Sequence, residues 1–170
     1  MTTNHEKLTF KPRPSTGWMW VGSLGLLLLV IGLNLLIKSG VSGPHLVTIL
    51  LTVPLGAMFL LVTAFFPAMR YEIKDEYLVL TYGPLLRYSI DINQIKSIRR
   101  RDIGFSLVSS FRFPGLALFN VPYPEIGTVK MCATATSTGI LLIDTGSTKY
   151  GLTPENEQEF VTELQNRMRR

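Results

Sequence analysis

The chain predicts a membrane-anchored α+β protein: two N-terminal transmembrane helices, then antiparallel strands closed by a C-terminal α-helix. Three observations carry this. Two uncharged apolar runs, Trp18–Ile37 and Leu46–Phe66, stand side by side near the N-terminus and nowhere else. After Arg70 the apolar residues switch to a period of two. From Thr153 onward they return to helical spacing, with charges sorted toward the two ends.

Each apolar run is long enough to cross a bilayer, since about 20 residues rising ~1.5 Å each span the ~30 Å hydrocarbon core. The 46% hydrophobic content is concentrated before Ala68. The roughly one hundred residues that follow suffice for one small domain with its own core. The first run exceeds the ~7–15 residues of a signal-peptide core, and no small-residue cleavage site follows it. The domain plan is therefore a tail over 1–17, a transmembrane hairpin over 18–66 and a globular domain over 70–170.

Charge beside the spans sets the orientation. Lys7, Lys11 and Arg13 precede the first span, Arg70 and Lys74 follow the second, and the loop Lys38–His45 holds one lysine. Positive charge stays on the cytoplasmic side, so both termini are expected inside the cell membrane. Trp18, Trp20 and Tyr71 fall near that interface, where amphipathic rings are favoured. Gly25 and Gly32 recur one heptad apart, and Thr52 and Gly56 form a small-xxx-small pair. Such residues let helices approach closely, within the hairpin or in self-association; glycine is also simply common in membrane helices. Neither span holds a charged side chain, which argues against an ion or proton path. Pro54 is expected to kink the second helix.

Tyr71 and Ile73, then Leu78, Leu80 and Tyr82, then Tyr88, Ile90 and Ile92 alternate with other side chains, the pattern of half-buried strands. Gly83-Pro84 is a turn signal. Further strands are expected at Ile95–Arg101, Val129–Ala135, Gly139–Asp144 and Thr148–Leu152. Phe105–Phe119 is broken by Pro114-Gly115, and Pro122 and Pro124 mark a loop. In the last segment Thr153 is the expected N-cap and Pro154 the first helical residue. Glu155, Glu157 and Glu159 suit the positive helix end and Arg167, Arg169 and Arg170 the negative one. Phe160, Val161, Leu164 and Met168 make the apolar stripe. This totals six or seven antiparallel strands and one helix.

The stretch from Arg112 to Leu164 resembles the bacterial pleckstrin-homology-like (PH) domains. The resemblance lies in Arg112-Phe113-Pro114-Gly115, in Val129-Lys130-Met131-Cys132-Ala133-Thr134, in Leu141-Leu142-Ile143-Asp144 and above all in Tyr150-Gly151-Leu152-Thr153-Pro154-Glu155-Asn156 with Phe160 following. In that family a tyrosine is common where Cys132 stands and a serine where Thr153 stands. The resemblance implies a PH-like β-sandwich or barrel closed by a C-terminal helix, a fold that hosts many roles.

Few residues offer chemistry. Leu142-Ile143-Asp144-Thr145-Gly146-Ser147 has the form of an aspartic-protease motif, but that reaction needs two aspartates sharing a proton. Asp-Thr-Gly-Ser between apolar strands is also ordinary turn chemistry. His5 and His45 lie at opposite ends of the hairpin, and no His/Cys/Asp cluster has metal spacing. Cys132 reads as a small core residue, and a lone cysteine permits no intrachain disulfide. No cofactor and no metal are expected. The basic run Lys96, Arg99, Arg100 and Arg101 can hold anionic lipid headgroups or simply protect a solvated edge strand. It is too short for nucleic acid to be a good partner. The expectation is a non-enzymatic binding or regulatory module whose partners are membrane lipids, an unidentified protein, or a second copy through Gly25 and Gly32.

Overall fold

The computed structural model describes residues 7–40, 44–103 and 112–169. His5, part of the Lys38–His45 loop and the first part of Phe105–Phe119 lie outside them.

The two apolar runs are helices, α1 (Gly17–Ser39) and α2 (Leu46–Ala64), packed as an antiparallel hairpin. Only 17% and 22% of their most apolar stretches are buried, so neither is the core helix of a globule. The seam between them is built on small residues. A Cβ on Gly56 would stand 2.8 Å from the Gly25 carbonyl oxygen, and one on Gly25 3.0 Å from that of Gly56. Gly32 faces Thr52 and Val53 across the same seam. The glycines expected to offer a self-association face are thus occupied inside the hairpin. Helix α2 continues through Pro54.

Among the described residues ten strands follow the order β1 (Leu8–Phe10), then after the helices β2 (Met69–Ile73), β3 (Tyr77–Tyr82), β4 (Leu86–Asp91), β5 (Ser97–Arg101), β6 (Arg112–Phe113), β7 (Leu116–Tyr123), β8 (Gly127–Ala133), β9 (Ile140–Asp144) and β10 (Lys149–Leu152), so nine follow the helices where six or seven were expected. One sheet runs β1-β2-β3-β4 and the other β5-β9-β10-β8-β7-β6. Both sheets contribute to one main core, with Tyr71, Leu80 and Tyr82 on one side and Leu118, Cys132 and Ile143 on the other. No ladder among the described residues joins the sheets, so they form a sandwich and not a closed barrel.

Four expectations are corrected. The tail is more than a lead-in: its strand β1 pairs with β2, Thr9 opposite Glu72. The sheets are not wholly antiparallel, because β10 inserts between β9 and β8 and so runs parallel to β8. Strand β7 passes through Pro122, which pairs opposite Thr128. Its other neighbour, β6, pairs with β7 at Ala117 and Leu116 among the described residues. The last helix, α3, spans Glu157–Met168 with Asn156 before it. Thr153 is not its cap: its hydroxyl accepts the Thr134 N–H at 2.8 Å, and Pro154 bridges to Pro12. The expected stripe does face the core, with Phe160 and Leu164 buried and Val161 and Met168 packed beside them.

The hairpin is docked directly on the sandwich. Val21, Phe59 and Val62 of the helices belong to the main core. Tyr82 donates its hydroxyl to the Val62 carbonyl at 2.8 Å, and Phe59 meets Phe113 edge-on at 5.5 Å. Ser15 donates to the Gly115 carbonyl at 2.6 Å, which fixes the entry into α1.

Candidate functional site

The basic run does not converge. Strand β5 is the edge of the six-stranded sheet, and alternation along it sends neighbouring side chains to opposite faces. Arg100 pairs opposite Leu141, on the side of the main core, and its guanidinium reaches Glu157 of α3 at 3.6 Å. Arg13 shares that carboxylate at 3.4 Å. Arg99 and Arg101 pair opposite Leu142 and Ile140, on the far face, beside a second apolar cluster that includes Met131 and Val129. Lys96 lies at the other end of β5, where its backbone N–H bonds to the Asp144 carbonyl at 2.8 Å. Asp102 accepts the Gly139 N–H at 2.6 Å. An edge strand guarded by charge is what this geometry resembles.

Asp144 closes its own turn. Its carboxylate accepts the Gly146 N–H at 2.7 Å, and the Thr145 hydroxyl bonds to the Thr148 carbonyl at 2.9 Å. These are the bonds of an Asx-type hairpin turn. Cys132 is fully buried, and burial pushes its thiol well above the ordinary range, the opposite of what a nucleophile needs. No group of three or more His, Cys, Asp or Glu that could hold a metal is found among the described residues.

Two arrangements escape sequence reading because each joins segments distant in the chain, three strands in the first and two segments in the second. Lys130 of β8 places its ammonium 5.6 Å from the Tyr88 ring and 5.7 Å from the Tyr150 ring, with the rings 5.8 Å apart. Burial, with smaller contributions from Cys132 and Tyr150, pushes the Tyr88 hydroxyl up to about 12. This cation–π group lies where β4 meets the inner face of the second sheet. The other arrangement surrounds Glu72, whose side chain is only 7% exposed: Lys7 and Arg70 stand at 3.0 Å and Lys74 at 3.6 Å. Burial opposes its charge, but the three cations outweigh burial and hold its carboxyl below the usual range. The only sequence signal for either was a set of alternating residues; which strands lie side by side was not readable.

The sheet pairings, the C-terminal helix on the sandwich and the segment Tyr150–Glu155 bring the comparison to a point. The family model described as bacterial PH domain matches residues 69–168, more than half the chain. The chain belongs to the bacterial PH domain family. No curated protein matches it, and no solved structure does. The match starts at the first residue of β2, so β1, which lies before the helices and pairs with β2, falls outside it.

Proposed function

We propose that this protein is a membrane-tethered PH-like binding or regulatory module, a protein-interaction or scaffold element at the inner face of the cell membrane, and not an enzyme. The observation that carries the proposal is the junction. A bacterial PH domain shares its main core with the end of two exposed apolar helices. Strand β1 precedes α1 and pairs with β2, which follows α2. If both helices span, the tail and the domain share one side. Lys7, Lys11, Arg13, Arg70 and Lys74 gather at that end, which supports a cytoplasmic placing. Trp18 and Trp20 are 46% and 59% exposed in the first turn of α1, as interfacial anchors would be.

The alternative, headgroup binding by Lys96–Arg101, draws less support because β5 divides that run between two faces. A protease role for Asp144 draws none from a carboxylate engaged in its own turn. The test begins with membranes from cells making the full chain. The protein should remain in the pellet after an alkaline carbonate wash; release would overturn the tethering. Protease added outside intact cells should leave the domain whole, and digestion would overturn the sidedness. Capture in mild detergent should bring down a stoichiometric companion.

A further inference from the structure

We propose that the outer face of the four-stranded sheet is a contact surface for anionic phospholipid, with Arg70 and Arg87 as its headgroup-binding pair. The proposal rests on the reading that the hairpin spans a bilayer. The register sets Arg70, Thr81 and Arg87 side by side on β2, β3 and β4. The next row, Tyr71, Leu80 and Tyr88, packs on the main core, so this row faces outward. Both arginines are exposed. Two strand spacings hold their backbones about 10 Å apart, a width that two guanidiniums can close around one phosphodiester.

Depth selects the occupant. Tyr82, the residue after Thr81, bonds to Val62 near the end of α2, and the turn at Gly83 packs on the Phe65 ring. The Arg70–Arg87 row therefore lies one residue, about 3.3 Å along the strand, beyond the row that touches the helix end. At ~1.5 Å per residue α2 is about as long as the hydrocarbon core is thick. A row just past its end lies among headgroups, where a soluble acidic partner would have to displace lipid. Charge agrees: the one carboxylate in the next outward row, Glu72, is already surrounded by Lys7, Arg70 and Lys74. The other carboxylate of this face, Asp91, lies two rows further on opposite Tyr77, so the positive end is the one nearest the helices.

The chain's two tryptophans, Trp18 and Trp20, both lie at this end of the hairpin and serve as native probes. The experiment places the full-length protein in proteoliposomes of phosphatidylcholine and phosphatidylglycerol, with one or the other brominated. Tryptophan quenching then gives the relative association of the two lipids. Wild type should prefer phosphatidylglycerol, with the preference weakened by salt. It should fall about fivefold for each arginine removed, in R87Q and in R70Q/R87Q. R99Q/R101Q should retain it. Arg87 makes no ion pair among the described residues, so R87Q tests the proposal without disturbing Glu72. Equal treatment of the two lipids by wild type, an unchanged preference in R87Q, or loss in R99Q/R101Q would overturn the proposal. Absence of quenching by either lipid would remove the hairpin from the bilayer and overturn the tethering as well.

Discussion

Tyr71 shows how much one interior polar group can organise. Its hydroxyl donates to the Cys132 carbonyl at 2.8 Å and accepts the Thr153 N–H at 3.3 Å, so it ties β2 to β8 and to the end of β10. Burial pushes its ionisation far above the ordinary phenol range of 10.0. Y71F leaves that carbonyl and N–H without this partner and should lower unfolding stability by about 1–3 kcal/mol in denaturant titrations. Glu72 gives a pH dependence of the opposite kind. Its folded carboxyl titrates below the ordinary value of 4.5, so its contribution is present above that pH and disappears as pH falls through the folded value. E72Q should cost about 1–2 kcal/mol at neutral pH. It should also flatten the acid limb of a melting-temperature profile relative to wild type; an unchanged limb would show that the cluster contributes nothing.

At the scale of elements, close approach governs the helices and edge pairing governs β1. Gly25 and Gly56 meet backbone to backbone, and lipid offers no hydrophobic drive to offset a separation there. G56L should push α1 and α2 apart. Cysteines placed at facing positions on the two helices should then cross-link slowly or not at all, although helix content by circular dichroism stays level. Strand β1 has only three residues, yet the segment around it is held at several points. Phe10 meets Phe160 edge-on at 5.2 Å, Arg13 N–H bonds to the Thr153 carbonyl at 2.7 Å, and the Thr134 hydroxyl donates to the Arg13 carbonyl at 2.8 Å. A F10A variant leaves a hole beside Phe160 and should lose about 3–5 kcal/mol, read as a lower midpoint in detergent.

For the whole molecule, the consequence is that the domain and the helix hairpin are one folding unit. The main core runs from Phe160 and Ile143 through Tyr82 to Phe59, Val62 and Val21. A fragment of residues 69–168 matches the family but lacks β1 and exposes the apolar surface that the helices cover. It should aggregate or unfold at far lower denaturant than the full chain, and should be rescued only when residues 7–68 are restored. A fragment as stable as the full protein would contradict the continuous core.

Much of this protein was readable from residue order alone, and for identifiable reasons. Uncharged runs of about twenty residues have few alternatives to a helix pair. Period-two alternation located most of the strands, and the Phe160–Met168 stripe located α3. Adjacency was another matter. That β10 lies between β9 and β8, that residues before the two apolar helices extend the first sheet, and that Arg70 and Arg87 share a row are all products of long-range pairing. Local sequence encodes which faces of a segment are apolar. It does not encode which distant backbone satisfies that segment's hydrogen bonds, and that choice put Arg70 and Arg87 in one row across β2, β3 and β4.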